Sequence, residues 1–255
     1  MLFAIKQLVR ESPIGPLALR VRDIFSSPNM RALRYRNEKY DREATEVMKR
    51  VLRSDSCCID VGAHRGDILR RIVNLSPLGT HFAFEPLPDL AAFLRKTFPN
   101  VHICEVAVSD HSGTSSFVQV KNAAPYSGLR QRIYDRPDPI LETIFVQVVT
   151  LDDVVPKDLP IAFIKLDIEG GEFHALRGAT QLIRRSQPII VFEAGPKSTG
   201  QYGVTPKSLH LLVSEELGYR LSTMHNWLNH LPPYDGTAFV QSWHNEQEFY
   251  FIAYP

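Results

Sequence analysis

The sequence predicts an α/β fold in which a mostly parallel β-sheet is covered by helices on both faces. Short apolar runs alternate with longer segments of helical period, and several of the apolar runs end in a carboxylate followed by glycine or proline. This alternation is typical of βαβ units, whose strands lie parallel. A chain of 255 residues, of which 44% are hydrophobic, is long and apolar enough to form one substantial domain of this class.

The first 53 residues predict a helical extension that precedes an α/β domain at residues 54–255. Within residues 41–53 the apolar side chains recur at helical spacing, at Ala44, Val47, Met48, Val51 and Leu52. Residues 1–53 hold 12 Lys or Arg against 6 Asp or Glu, whereas the rest of the chain holds 17 against 22. Three interpretations of this basic arm stay open: a solvated helical cover, a contact in a homo-oligomer, or peripheral contact with an anionic membrane or a phosphate-bearing acceptor.

After residue 53 the period of the apolar residues changes from segment to segment. Short apolar or alternating runs predict strands at residues 57–61, 81–85, 101–108, 117–120, 145–149, 161–167, 188–193, 219–224 and 248–253. Helical spacing predicts helices at residues 67–75, 89–98, 172–185 and 208–217. The last two strands are expected to pair antiparallel on the edge of the sheet. Two loops, at residues 121–139 and 195–206, are long enough to serve an active site.

Composition excludes several classes of protein. Three cysteines without the spacing of a metal site predict free thiols and a cytoplasmic location. No apolar run approaches the roughly 18 residues of a membrane span, and the first residues lack the continuous apolar centre of a signal peptide. A net charge of +1, with an acidic balance after residue 53, argues against nucleic acid as a partner.

Carboxylates stand at the ends of the predicted strands, where an open α/β sheet binds its ligand. Asp60, Glu85, Asp167 and Glu193 each close a strand, and Asp110 follows another. Carboxylates this close together repel one another, and a ligand with positive charge or hydrogen-bond donors would offset the repulsion. S-adenosylmethionine offers ribose hydroxyls, an amino group and a cationic sulfonium.

The glycine loop after the first strand distinguishes this cofactor from a nicotinamide dinucleotide. Gly62 and Gly66 allow a tight turn and a close backbone approach. A dinucleotide site requires glycine at the first, third and sixth positions, but here Asp60 and Arg65 occupy the first and sixth. A carboxylate at Asp60 would repel a pyrophosphate and suits a cationic cofactor. Glu85 could accept ribose hydroxyls from either cofactor.

Several motifs together resemble the FkbM family of methyltransferases. They are Cys58-Ile-Asp-Val-Gly-Ala-His-Arg-Gly66, Phe84-Glu-Pro-Leu-Pro88, Ala107-Val-Ser-Asp110, Thr150-Leu-Asp-Asp153, Ile164-Lys-Leu-Asp-Ile-Glu-Gly-Gly-Glu172, Ala175-Leu-Arg-Gly-Ala179 and Pro188-Ile-Ile-Val-Phe-Glu193. The resemblance covers residues 55–255 in order and spacing, and the segment at residues 164–172 is its most specific part. It implies a Rossmann-like class I methyltransferase fold with a seven-stranded, mostly parallel sheet and an antiparallel C-terminal strand.

The same resemblance implies O-methylation of a hydroxyl on a sugar, glycolipid or natural product, with S-adenosylmethionine as donor. It assigns cofactor binding to Asp60, Gly62, Ala63, His64, Gly66, Glu85, Pro86, Ser109, Asp110 and Asp167. In that assignment Asp60 and Gly62 line the methionine part, Glu85 holds the ribose, and Ser109 and Asp110 face the adenine. His64 is a departure, because the family often has asparagine there.

Catalysis is assigned to Asp167, Lys165 and Glu193. An acceptor alcohol must lose a proton, and Asp167, Glu193 and a histidine are candidate bases. Lys165 lies two residues before Asp167 on one face of a strand, where a structural ion pair is the alternative role. A divalent cation held by Asp167, Glu169 and Glu193 is the less favoured alternative, so no metal site is predicted. Glu172, at a helix N-terminus, is at least as well explained by capping.

Two further features and two other functions stay open. Trp227 and Trp243, beside histidines in the C-terminal loops, suit either stacking on sugars or a small core, and the core is slightly favoured. Tyr126 and Arg130 in the long loop could cover the acceptor. The alternative functions are an NAD(P)-dependent Rossmann oxidoreductase, with which Asp60 conflicts, and a non-catalytic or nucleic-acid-directed Rossmann-like protein.

Overall fold

The structure is a computed structural model that describes residues 28–134 and 138–255, with the backbone alone at residues 28–34. It divides into a unit that ends at Arg42 and a unit formed by Glu43–Pro255. Helix α1 (Pro28–Val51) contributes to both units, so the domain boundary expected after residue 53 stays a prediction. Residues 1–27 of the expected helical extension lie outside the described residues.

Seven strands form the main sheet. They are β1 (Cys57–Val61), β2 (His81–Phe84), β3 (His102–Cys104), β7 (Ile161–Leu166), β8 (Ile189–Glu193), β9 (Arg220–Ser222) and β10 (Tyr250–Tyr254). Their spatial order is β3-β2-β1-β7-β8-β10-β9, and only β10 runs antiparallel to its neighbours. The predicted α/β class and the antiparallel C-terminal strand are therefore confirmed. The last two strands pair as expected, but β10 lies inside the sheet and β9 forms its edge.

Helices connect and cover these strands. They are α2 (Asp67–Leu75), α3 (Pro88–Thr97), α4 (Leu151–Val154), α5 (Glu172–Arg177), α6 (Thr180–Ser186), α7 (Pro206–Leu211), α8 (Met224–Leu228) and α9 (Gly236–His244). A π-helical turn, Leu212–Glu216, extends α7. Among the helices that the structure describes, none combines the length and the apolar character that crossing a bilayer requires.

The third predicted strand, at residues 101–108, is wrong as one element. The chain leaves the main sheet after Cys104, whose carbonyl accepts the N–H of Glu85. Residues 107–108 form β4 (Ala107–Val108), which pairs with β6 (Leu141–Val149) in a second sheet completed by β5 (Gly113–Val120). Glu105 separates the two halves, but a single charged residue also fits the exposed face of a continuous strand, so the pattern does not reveal the break.

The helix predicted at residues 172–185 is interrupted at Gly178. A Cβ there would lie 2.0 Å from the carbonyl oxygen of Ser109, so only glycine allows this close approach. The second half, α6, begins where the carboxylate of Asp152 accepts the N–H groups of Gln181 and Leu182. This capping group comes from α4, and the local pattern of the helix therefore cannot reveal the break.

Candidate active site

The carboxyl ends of four parallel strands bring the predicted carboxylates to one edge of the main sheet. Asp60 lies on β1, Glu85 follows β2, Asp167 follows β7, and Glu193 ends β8. β1 pairs with both β2 and β7 and places Asp60 in register with Lys165. Because parallel strands end at the same edge, side chains far apart in the sequence meet there.

Lys165 connects two of these carboxylates below the surface. Its Nζ lies 3.4 Å from Oδ1 of Asp60 and 3.5 Å from Oδ2 of Asp167. It also donates a 2.9 Å hydrogen bond to the carbonyl of Gly62. Burial by itself lowers the pKa of Lys165, but the charges of Asp167 and Asp60 outweigh burial and raise that pKa above its usual value. Lys165 is thus a buried cation that holds Asp60, Asp167 and the glycine loop together.

Asp167 and Glu193 differ in acidity. The hydroxyl of Tyr250 donates a 2.5 Å hydrogen bond to Oδ2 of Asp167, and the pairing of β10 with β8 sets Tyr250 opposite Glu193. Burial opposes ionisation of Asp167, but Lys165 and Tyr250 hold its pKa below the usual range. Burial, followed by the charge of Asp167, raises the pKa of Glu193 well above its usual value. Of these two carboxyl groups, Asp167 is therefore the more acidic one and Glu193 the one that more readily keeps its proton.

A pocket with about 560 Å³ of empty space, partly open to solvent, lies at this edge of the sheet. Its ionisable side chains are those of His64, Glu85, Asp167 and Glu169. Most of the remaining wall is apolar and is formed by Val61, Phe84, Leu87, Val106, Ala107, Val108, Phe117, Ala124, Pro125, Leu129 and Ile168. An apolar cavity with a few carboxylates suits a ligand that joins an aromatic ring to hydroxyl and cationic groups.

Part of the predicted cofactor set lines this pocket, namely Gly62, His64, Glu85, Pro86 and Asp167. Glu85 holds the glycine loop, because its carboxylate accepts the N–H groups of His64 at 2.8 Å and Leu87 at 3.0 Å. Gly62 has φ 77°, and a Cβ there would lie 1.9 Å from the carbonyl oxygen of Asp167. Glycine at this position is therefore a steric requirement.

His64 also has a left-handed backbone, with φ 48°. Asparagine adopts this region more readily than most residues, which explains the asparagine that the FkbM resemblance leads one to expect here. Nε2 of His64 is buried without a hydrogen-bond partner. Burial, aided by the charges of Arg65 and Lys165, lowers the pKa of His64 to about 4. The ring is neutral at physiological pH and can hydrogen-bond a ligand in the pocket.

Three other predicted cofactor residues support the pocket from behind. Asp60 is fully buried beside Lys165. Ala63 belongs to a small core cluster that includes Phe98, and Gly66, with φ 76°, lies so close to the Phe98 ring that a Cβ would be 2.4 Å from it. These residues shape the loop, and their direct contact with a cofactor stays a prediction.

Ser109 and Asp110 follow β4 and do not line the pocket. The N–H of Ser109 donates to the carbonyl of Val149. The carboxylate of Asp110 lies 2.9 Å from the Nδ1 atoms of both His111 and His174. Partial burial opposes ionisation, but hydrogen bonds from these two histidines lower the pKa of Asp110 to about 2. The expected role of Ser109 and Asp110 in facing an adenine stays a prediction.

The loop between β5 and β6 is attached to the loop after β7. Arg132 forms an ion pair with Glu169, and both side chains are almost fully buried. The Arg132 guanidinium also lies 5.3 Å from the ring centre of Tyr126. The N–H of Arg130 donates to the hydroxyl of Tyr202 at 3.1 Å. Tyr126 and Arg130, expected to cover an acceptor, thus take part in holding this loop.

Glu172 fixes the loop after β7 from its other side. One carboxylate oxygen accepts the N–H of Ile168 at 2.8 Å and that of Gly170 at 3.3 Å. Burial raises the pKa of Glu172 to about 7. Both donors precede α5, and no side-chain hydrogen bond caps this helix. Glu172 therefore holds the loop, and the capping expected of it stays a prediction.

Sequence reasoning missed Arg132 and Tyr250 as site residues. Arg132 lies in a polar loop without periodicity, and Tyr250 begins a strand that resembles ordinary core. Their roles depend on which strands become neighbours, and no local pattern carries that signal.

Three carboxylates in this region lie close enough to share a cation. One oxygen each from Asp167, Glu169 and Glu193 lies within 4.8 Å of the others. Lys165 and Arg132 already contact two of them. The donor set is therefore compatible with a hard cation, but these two side chains already supply positive charge.

One protein family matches most of the chain. A family model described as the methyltransferase FkbM domain matches residues 60–221, more than half of the chain. No curated protein is a significant match.

Among solved structures, a methyltransferase FkbM from Methylobacillus flagellatus KT is similar at 16% identity and a TM-score of 0.47, over 80% of this chain and 44% of that chain. A precorrin-6y C5,15-methyltransferase from Geobacter metallireducens GS-15 has 17% identity and a TM-score of 0.38, over 71% and 72% of the two chains. The plantazolicin methyltransferase BpumL, solved with SAH, has 12% identity and a TM-score of 0.41, over 90% of each chain. This chain thus spans less than half the length of the first of these proteins.

Proposed function

Because the chain belongs to the FkbM methyltransferase family, we propose that it transfers a methyl group from S-adenosylmethionine to a hydroxyl of a sugar, glycolipid or natural-product acceptor. The observation that carries this proposal is the pocket at the carboxyl edge of the sheet, where an apolar wall meets the carboxylates of Glu85 and Asp167. A nicotinamide-dependent oxidoreductase is set aside by the family membership.

The residues of the pocket fit this cofactor. The wall that includes Phe117 and Leu129 is apolar enough to take an adenine ring. The Glu85 carboxylate can accept ribose hydroxyls, and Gly62 lines the pocket where the methionine part would lie. Nε2 of His64, buried without a partner, is available to a polar group of that part. When bound, S-adenosylmethionine supplies an electrophilic methyl group on a sulfonium that leaves readily.

In this proposal Asp167 receives the acceptor hydroxyl. Its carboxylate is ionised at neutral pH and lines the pocket, so it can orient the hydroxyl by accepting its hydrogen bond. As the oxygen bonds to carbon its proton becomes strongly acidic, and a carboxylate of low pKa suffices to take it. Orientation of the oxygen supplies much of the rate, because the leaving group needs no protonation.

Lys165 and Tyr250 are positioning residues in the proposed mechanism. Both contact Oδ2 of Asp167. A side-chain hydrogen bond with Glu193 also lowers the pKa of this carboxylate. The carboxylate is thus held in one orientation with its charge balanced.

Calorimetry with S-adenosylhomocysteine tests the cofactor. We expect saturable binding by the wild-type protein and at least about tenfold weaker binding by Glu85→Ala, because the ribose hydroxyls lose a charged partner. Glu105→Ala, which removes a carboxylate paired with Arg95 on the surface, is the matched control. Absence of binding by the folded wild-type protein would overturn the proposal.

A radiolabelled methyl donor tests the acceptor class. Label from S-adenosylmethionine is expected on sugars, glycolipids or polyhydroxylated natural products, in a linkage stable to alkali as an ether is. Label found only on nitrogen or carbon of the product would overturn O-methylation while leaving cofactor binding intact.

A further inference from the structure

A second concave surface lies at the opposite edge of the main sheet. This edge groove is lined by Arg50, Arg220, Trp227, His230, residues 231–233 and Tyr254, and has about 870 Å³ of empty space, widely open to solvent. Arg220 begins β9 and pairs with Tyr254 near the end of β10. Because β9 runs in the direction of β8, its first residue lies at the amino-terminal edge, away from the pocket of the proposed reaction.

The described lining of the edge groove contains cationic side chains and no carboxylate. Arg50 and Arg220 carry positive charge, and none of the described lining residues is acidic. Arg50 is held in place, because its guanidinium donates to the carbonyl of Leu228 at 2.7 Å and lies 6.0 Å from the ring centre of Trp227. A cation fixed in this way loses little entropy when it binds an anion.

Flat apolar faces adjoin these cations. The Trp227 ring is half-buried and meets Tyr254 edge to face, with ring centres 6.4 Å apart. Pro232 and Pro233 are exposed beside it. By contrast, Trp243 is buried in the core against Phe239. The sequence left both tryptophans open between sugar stacking and core. The structure places Trp227, half-buried, in the edge groove and buries Trp243 in the core.

The backbone at His230 is unusual. Its φ is 57°, directly after α8, at a position where helices commonly place glycine or asparagine. A histidine in this left-handed conformation is strained, and such strain tends to concentrate where a side chain serves a ligand. Hydrogen bonds from the N–H groups of His230 and Leu231 to Trp227 and Asn226 hold the turn in this form.

We propose that the edge groove binds an anionic sugar, with the sugar ring against Trp227 and its phosphate or carboxylate group between Arg50 and Arg220. Sugar rings stack on aromatic faces, and guanidinium groups bind oxyanions through paired hydrogen bonds. A long polyanion such as single-stranded RNA needs a basic track along its backbone. The acidic balance of the chain after residue 53 does not provide one. This binding site is independent of the proposed methyl transfer.

Tryptophan fluorescence with glucose 6-phosphate as the probe tests this site. The chain has 2 tryptophans, and only Trp227 lies in the groove. We expect saturable quenching of the fluorescence by glucose 6-phosphate. Inorganic phosphate, which has no sugar ring, and methyl glucoside, which has no anionic group, should each bind at least about tenfold more weakly. Arg220→Gln should weaken glucose 6-phosphate binding by about tenfold or more. Lys96→Gln, on the exposed side of α3, should leave it unchanged.

Circular dichroism establishes whether each variant is folded. If Arg220→Gln does not fold, Arg50→Gln is the variant to be tested in its place. The proposal is overturned if the wild-type protein shows no saturable response to glucose 6-phosphate. It is also overturned if the folded arginine variants bind glucose 6-phosphate as tightly as the wild type does, or if methyl glucoside binds as tightly as glucose 6-phosphate. Tighter binding of a ten-nucleotide oligouridylate than of glucose 6-phosphate would assign the groove to nucleic acid instead.

Discussion

The hydroxyl of Tyr250 lies 2.5 Å from Oδ2 of Asp167, across 83 positions of sequence. This contact joins the last strand of the chain to the carboxylate that follows β7. It exists because β10 inserts beside β8, and it helps to keep Asp167 ionised in a buried setting.

Removal of this hydroxyl should change the pH dependence of methyl transfer. Tyr250→Phe takes away a donor to the Asp167 carboxylate, so the pKa of Asp167 rises and the acid limb of kcat/KM moves to higher pH. We expect kcat to fall about tenfold at neutral pH. Tyr219→Phe is the control, because Tyr219 is also buried and its hydroxyl donates to the carbonyl of Pro188, outside the pocket. An unchanged pH profile in a folded Tyr250→Phe protein would contradict this role.

Substitution of Gly62 should abolish cofactor binding. Gly62→Ala places a methyl group 1.9 Å from the Asp167 carbonyl and also strains a backbone at φ 77°. We expect a loss of at least ~2 kcal/mol of unfolding free energy, together with loss of S-adenosylhomocysteine binding. Gly203→Ala separates the two effects, because its φ is 76° but no atom lies within 4 Å of the added Cβ. That variant should lose only about 1 kcal/mol and should bind normally. Equal losses in the two variants would contradict the steric argument.

Asp110 should matter for acid stability more than for cofactor affinity. Its pKa is lowered from 3.8 to about 2, so the stabilisation is present above pH 3.8 and is lost as the pH falls through 2. Asp110→Asn should therefore reduce the unfolding free energy at pH 7 by about 1 kcal/mol, allowing for solvent screening, and remove this part of the acid dependence. Urea unfolding at a series of pH values between 2 and 7 measures the unfolding free energy of both proteins. A tenfold loss of S-adenosylhomocysteine affinity would instead support the adenine contact that the family resemblance implies.

Glu172 should make the protein less stable as the pH rises toward neutrality. Its pKa is raised from 4.5 to about 7, so its contribution to stability is complete below pH 4.5 and is lost as the pH rises through 7. Glu172→Gln keeps an oxygen that can accept from Ile168 and Gly170 but cannot ionise. Between pH 4.5 and pH 8, we expect the unfolding free energy of this variant to fall by ~2 kcal/mol less than that of the wild type. Identical pH profiles for the two proteins would show that the carboxyl group does not titrate in this range.

Arg132 should control whether the carboxylate cluster binds a metal ion. Methyl transfer by the wild-type protein is expected to persist in a chelator, because Lys165 and Arg132 already neutralise the cluster. Arg132→Ala leaves Asp167, Glu169 and Glu193 within 4.8 Å of one another with less positive charge. Calorimetry should then detect Mg²⁺ binding at least about tenfold tighter than in the wild type. Arg130→Ala is the control, and loss of wild-type activity on chelation would contradict the prediction.

Local sequence patterns predicted most of the fold, because helix and strand periods are set within a few residues. They failed where the determining contact comes from elsewhere in the chain. Residues 101–108 have the pattern of one strand but divide between two sheets, and the helix at residues 172–185 breaks where Gly178 meets Ser109. In the site, the meeting of the carboxylates at the strand ends followed from the parallel order, because parallel strands end at the same edge of a sheet.

The sequence by itself determined the α/β class, the glycine loop after β1, the carboxylates that close the strands, and the family. Only the tertiary structure decided that Tyr250 and Arg132 join Asp167 and Glu169, and that Asp110 faces His174. It also decided which of two tryptophans lines a groove. The physical reason is that periodicity records which face of an element is buried, whereas partners across the sheet depend on strand order and on the close approach of distant backbones.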